Sequence, residues 1–140
     1  MSESSIVWRT LKNKMSRDVW LQRIENSVGR GTPDVWFVTQ KGPAGWIELK
    51  YAVKRGRTPR TTFRLSPAQL VFAKKCYYYD VPYCLLGAVQ VNDTHQWFLW
   101  CADQIAKWPT WTWLEAEAEN WFCGDRFEPL TLRGMVEEII

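Results

Sequence analysis

The sequence predicts an α/β domain with a small mixed central sheet flanked by helices. Three observations predict it. Apolar, β-rich runs of strand length recur at VWFVT, WIELKY, VPYCLLGAVQV and QWFLWC. Capping chemistry marks helix starts at Ser66 and Thr112. The pieces follow in the order helix, strand, strand, helix, strand, strand, helices, which suits layers of helix on sheet.

Each element has its own local reason. A first helix is expected from Ser16, an acceptable N-cap with Asp18 in its first turn, through VWLQRIENSV to about Gly29. Two strands follow, about 35–39 and 46–51, joined by a turn that holds Gly42, Pro43 and Gly45. In SPAQLVFAKKCYYY, Ser66 is the N-cap, Pro67 suits the first helical position and Gln69 completes a capping box. VPYCLLGAVQV reads as a strand, NDTH as a turn, QWFLWC as a further strand and CADQIAKW as a short helix. Thr112 with Glu115 opens a helix in WLEAEAENW. Thr131 caps a last helix, where Leu132, Met135, Val136, Ile139 and Ile140 form one apolar stripe.

The chain has 140 residues, 46% hydrophobic and 24% charged, the measure of one soluble domain. A core at about 16–100 and a helical, tryptophan-rich extension at about 101–140 are expected within it. No apolar run approaches the roughly 18 residues of a membrane helix, and the first residues lack a signal peptide's apolar stretch. A cytoplasmic setting is expected, with no membrane partner. Cys76, Cys84, Cys101 and Cys123 form no CxxC pair and His95 is the single histidine, so reduced thiols are expected rather than a zinc site.

Charge is unevenly placed. Through residue 92 there are fifteen Lys and Arg against six Asp and Glu; beyond it there are three against nine. A basic body suits a polyanion. Its sharpest run is YAVKRGRTPRTTFRL, with Lys54, Arg55, Arg57, Arg60 and Arg64 and no acid. Gly56 and Pro59 make it a loop, and its threonines can donate to phosphates. The tryptophans of WPTWTW are expected in core or at a subunit interface. Glu115, Glu117 and Glu119 are expected as solvated surface.

The strand pair at 31–52 carries the chemistry. Side chains alternate along a strand, so Trp46, Glu48 and Lys50 share one face. A hairpin register in which paired numbers sum to an even value brings Asp34 to that face. A flat hairpin leaves Asp34 a few residues along from Glu48, a gap that strand twist and Pro33 must close. Two adjacent carboxylates repel and raise each other's pKa. A divalent cation removes that penalty, and Mg²⁺ takes hard oxygen ligands together with substrate phosphate oxygens. Lys50 is placed to orient an attacking water or to stabilise phosphate charge. The plainer reading makes Asp34 a turn cap and Glu48–Lys50 a surface pair. The apolar flanks Trp46, Ile47, Leu49 and Tyr51 oppose it, because they read as a strand buried on both faces.

Pro33-Asp34 followed by Glu48-Leu49-Lys50 resembles the motif of the PD-(D/E)XK nuclease superfamily. The wording is most similar to the virus-type replication-repair nuclease family, VRR-NUC: Gly31-Thr32-Pro33-Asp34, then Ile47-Glu48-Leu49-Lys50, a basic stretch, then Leu65-Ser66-Pro67-Ala68-Gln69. The resemblance spans roughly residues 16–100 and implies a restriction-endonuclease-like core. It implies Mg²⁺, with Mn²⁺ as a substitute, held by Asp34, Glu48, the Leu49 carbonyl and a first-helix Glu25. It implies that Gln69 lies near the active site and that Lys50 is catalytic. The basic loop then grips DNA. Similarity to stand-alone members implies a Holliday junction resolvase acting as a homodimer in DNA recombination and repair, in a bacterial cell or phage-infected host. Two alternatives stand: a monomeric flap, single-strand or nicking nuclease of the same chemistry, and a nucleic-acid-binding module that does not cut.

Overall fold

The computed structural model describes residues 3–15, 19–24, 31–40, 44–53, 62–91, 94–106 and 113–115. Its elements in chain order are α1 (Glu3–Met15), β1 (Val19–Arg23), β2 (Val35–Thr39), β3 (Ala44–Val53), β4 (Thr62–Arg64), α2 (Pro67–Tyr78), β5 (Tyr83–Val91), β6 (Thr94–Cys101), α3 (Ala102–Ala106) and β7 (Trp113–Glu115). Five strands make one sheet in the order β1-β2-β3-β5-β6. Its pairings are antiparallel except β3 with β5, which are parallel and joined by the crossover that contains α2. This is the α/β arrangement expected, a small mixed sheet between helices.

The sheet buries both faces. On one, Val7 and Leu11 of α1 pack on Val35, Phe37, Ile47, Leu49, Leu86 and Leu99. On the other, Leu70, Ala73 and Cys76 of α2 and Ile105 of α3 pack on Tyr83, Leu85, Val89 and Trp100. The alternation along β3 divides accordingly: Ile47 and Leu49 join the first core, Trp46 and Ala52 the second. Glu48 is the buried charged residue between these apolar layers, at 3% exposure. Cys76 and Cys84 are buried, reduced thiols.

Two expected helices are strands instead. Residues 19–23 form β1, not part of a helix running from Ser16 to Gly29. VWLQR alternates, with Val19 buried and Trp20 65% exposed, and it pairs antiparallel with β2 from Val19↔Thr39 to Arg23↔Val35. Five alternating residues beside β2 outweigh the cap-like Ser16 and Asp18, which lie outside the described residues. The first helix is α1, in which Val7 and Leu11 stand one turn apart and fully buried. Residues 113–115, expected to open a helix, form β7 and pair with β4. Backbone pairing to a distant strand overrides the Thr112–Glu115 capping signal there. Just past residue 101, Ala102 and Ile105 of α3 join the second core. The expected helices beyond residue 115 lie outside the described residues. Among the described residues no helix is long and apolar enough to cross a membrane.

Gly45 shows how closely β3 is held. A Cβ there would lie 2.3 Å from the Pro82 carbonyl oxygen and 2.9 Å from Phe37 Cζ. The Trp46 N–H donates to that same carbonyl at 3.0 Å. Gly45→Ala is expected to cost about 1–3 kcal/mol of stability through overpacking against backbone, read by urea unfolding.

Candidate active site

The β2–β3 register builds the site. Val35 pairs with Ile47 and Trp36 with Trp46, so paired numbers sum to an even value, as the shared-face expectation requires. Continued one step, this register sets Asp34 opposite Glu48; a second step sets Pro33 opposite Leu49. The gap expected between the two carboxylates is therefore absent. Proline has no N–H to give, so the ladder ends there. Asp34 takes over: its Oδ2 accepts the Leu49 N–H at 2.9 Å. In an antiparallel pair, N–H and C=O of one residue face the same neighbour. The Leu49 carbonyl is thus directed to the edge where Asp34 sits.

Glu48 projects from the central strand toward α2. Its Oε1 accepts the Gln69 Nε2–H at 2.7 Å and stands 3.8 Å from Lys50 Nζ. Its Oε2 is buried and has no hydrogen-bond partner among the described residues. The Glu48 pKa is pushed up to about 8, first by burial and next by the negative charge of Asp34, against the opposing charges of Lys50 and Arg23. A buried carboxyl thus faces a half-buried carboxylate, and a proton or a cation relieves the repulsion between them. The set of carboxylate oxygens and the Leu49 carbonyl fits a small hard cation such as Mg²⁺.

Gln69 ties the pieces together. Its Oε1 accepts from Lys50 Nζ at 2.9 Å and from the Ser66 N–H at 2.8 Å. Its own N–H donates to Ser66 Oγ at 3.1 Å, which closes the expected capping box. Gln69 thus closes the cap and also reaches both Glu48 and Lys50.

Gly31 brings the Pro33-Asp34 segment onto α2. Its φ of +82° lies in the left-handed region, and a Cβ there would sit 2.4 Å from the Ala68 carbonyl oxygen. On the hairpin side, Trp36, Trp46 and Phe72 form an edge-on aromatic wall, with ring centroids 4.7 Å and 5.4 Å apart. Tyr83 is fully buried, and burial followed by the Glu48 charge holds its phenol pKa well above the ordinary range.

The structure thus brings Asp34, Glu48, Leu49, Lys50 and Gln69 into one site. Glu25 lies outside the described residues, and the strand β1 precedes it where a helix was expected. Lys54, Arg55, Arg57 and Arg60 also lie outside them; Arg64 falls in β4, just before α2. Among the described residues no group of three or more His, Cys, Asp or Glu comes together. Sequence reasoning missed Arg23 as a neighbour of the site. Its guanidinium lies 5.7 Å from the Trp8 ring centroid and its Nη1 is buried without a hydrogen-bond partner among the described residues. The next residue shows why it sits near: the Ile24 N–H donates to the Asp34 carbonyl at 2.8 Å.

A mixed sheet between helices, with two carboxylates, an amine and an amide at the end of its β2–β3 ladder, defines the class of site. No family model matches the chain, so the narrower VRR-NUC resemblance gains no family-level support, and no curated protein matches it. Among solved structures, the chain is similar to the 1.6 Å structure of Archaeoglobus fulgidus Hjc, a Holliday junction resolvase from an archaeal hyperthermophile. The two are 17% identical, with 94% of this chain and 98% of that chain covered at a TM-score of 0.49.

Proposed function

We propose that the protein is a divalent-cation-dependent nuclease that hydrolyses phosphodiester bonds in DNA. One observation carries this: the buried Glu48 Oε2, without a hydrogen-bond partner among the described residues, beside the carboxylate of Asp34. A buried carboxyl beside a second carboxylate is costly to keep unless a cation belongs between them.

Asp34 and Glu48 would hold Mg²⁺, with the Leu49 carbonyl and Glu25 completing the set and Mn²⁺ as a substitute. The bound cation supplies Lewis-acid polarisation of the phosphodiester and a lowered pKa for its water. The side chains do the rest. Asp34 spends one oxygen on the Leu49 N–H, so its carboxylate is held in one orientation. Glu48 is fixed through Oε1 by Gln69, and its Oε2 would be the oxygen offered to the cation. Lys50 Nζ, held by Gln69 Oε1, carries the positive charge that orients the attacking water or stabilises the phosphate as negative charge builds. The burial of Glu48, at 3% exposure, strengthens the interactions that its carboxylate makes. Lys54, Arg55, Arg57, Arg60 and Arg64 follow β3 in the chain and would grip the phosphate backbone.

For the DNA form, the sequence resemblance suggests branched DNA, cut as a Holliday junction by a homodimer. Two symmetric cuts need two sites, hence a C2 pair.

The test uses a labelled four-way junction and a linear duplex, with Mg²⁺ and with EDTA, on wild type and Lys50→Ala. Wild type should cut the junction at paired symmetric positions with Mg²⁺ alone. Lys50→Ala should bind but cut about 10²–10³-fold more slowly, the scale of losing one transition-state donor. Cleavage of flaps, single strands or nicked duplex by a monomer would sink the resolvase assignment and keep the chemistry. A junction bound and left whole in Mg²⁺ and in Mn²⁺ would make the protein a binding module.

A further inference from the structure

We propose that the capping box of α2 is a positioning device for the cation site, with Ser66 acting through Gln69 on Glu48 and Lys50. The role rests on the cation-dependent reading above.

The hydrogen-bond chemistry of Gln69 leaves one orientation of its amide. The Ser66 N–H and Lys50 ammonium are donors only, so both must meet the amide oxygen, at 2.8 Å and 2.9 Å. A Glu48 carboxylate accepts only, so it must meet the amide nitrogen, at 2.7 Å. An ordinary capping box uses its glutamine to satisfy one orphan N–H at a helix start. Here the same side chain reaches across to β3 and grips an anion with one end and a cation with the other.

Ser66 decides where that side chain starts. Its Oγ accepts the Gln69 N–H at 3.1 Å, which sets the first turn of α2. Its own N–H then holds Gln69 Oε1 on the side that faces Lys50. Ser66 touches neither Glu48 nor Lys50 by any of these bonds, so it is a positioning residue. Gly31 packs against the same turn, at Ala68, which brings Asp34's segment onto the helix that aims Gln69. Both carboxylates of the site are thereby referred to one turn of helix. Glu48 is referred to it through Gln69, and Asp34 through the backbone contact of its own segment.

The full-length chain is titrated with Mn²⁺ by calorimetry as wild type, Ser66→Ala, Gln69→Ala, the double variant and Ser66→Thr. Ser66→Ala should weaken Mn²⁺ binding about tenfold, the scale of losing a residue that orients a metal ligand. Gln69→Ala should weaken it at least as much. The double variant should bind no more weakly than Gln69→Ala alone, because Ser66 acts through Gln69. Ser66→Thr, which caps as serine does, should bind as wild type. Ala73→Gly loosens α2 through helix propensity, away from the box, and should also bind as wild type.

Three results overturn the proposal while the metal reading stands. One is Ser66→Ala binding Mn²⁺ as wild type. Another is a double variant whose loss is the sum of the two single losses. The third is equal weakening by Ala73→Gly, which would make the effect a general loosening of the helix. Absence of Mn²⁺ binding by the wild type itself would overturn the metal reading, and this proposal with it.

Discussion

Glu48→Gln is expected to make the cation-free protein more stable near pH 8 while it abolishes both the response to Mg²⁺ and cleavage. The Glu48 pKa stands at about 8 against an ordinary 4.5, so the folded state holds a proton that the unfolded chain releases across that interval. Stability in EDTA must therefore be highest at the acid end of the window. It falls as pH rises from about 4.5 to about 8, by at most about 1.4 kcal/mol for each pH unit. Glutamine keeps an oxygen for Gln69 Nε2 and puts an amide donor where Oε2 now faces Asp34. The variant should lose the pH slope in that window and gain on the order of a few kcal/mol over wild type at pH 8. Mg²⁺ should raise the melting temperature of wild type and leave the variant unmoved. Cleavage should fall by about 10³-fold or more, since a ligand and a charge go together. Urea unfolding across pH in EDTA reads the first effect. A variant less stable than wild type at pH 8 would show that the carboxylate carries no such strain.

Gly31→Ala should damage fold and site together. The residue sits at φ +82°, where a side chain costs about 1–2 kcal/mol. The added carbon would lie 2.4 Å from the Ala68 carbonyl oxygen and 2.5 Å from its carbon, atoms of a helix backbone that cannot swing aside. Overpacking adds about 1–3 kcal/mol. The sum is on the order of 3 kcal/mol, measurable as a lower urea midpoint. Relief must come from moving the first turn of α2 or the Pro33-Asp34 segment. Cleavage at temperatures where the variant is still folded should therefore also fall. Full activity in a destabilised Gly31→Ala protein would show that the turn of α2 can shift without consequence for Glu48 and Lys50.

Part of this was legible in the sequence, for local reasons. The Ser66-Pro67-x-Gln69 box is written in consecutive residues, and α2 starts where it says. Alternation along β3 showed what an even register would bring together, but a slip by one was equally open until the strands were paired. Five-residue strands are harder: β1 offers too short an alternation to outweigh a cap-like serine and an acidic first turn. β7 exists through pairing with β4, some fifty residues earlier in the chain, which no local pattern records. The same limit applied within the site. Alternation placed Glu48 and Lys50 on one face, and an even register was needed to add Asp34. That Gln69 would join them depends on how a crossover lays its helix over the sheet. Arg23 stayed hidden because its segment was read with the wrong period.

The parallel pairing of β3 with β5 also sets an order of assembly. Asp34 and Glu48 come from a hairpin whose strands are joined by a short turn, and such contacts form early at little loop-closure cost. Gln69 belongs to a crossover that docks only when β5, beginning at Tyr83, settles alongside β3. That closure spans a longer stretch of chain and is the slower event. A folding chain would thus bring its two carboxylates together before the amide that orders them. Lys50 arrives with the same hairpin but is held by Gln69 only at the last step, so the ordered site would arrive with the completed sheet.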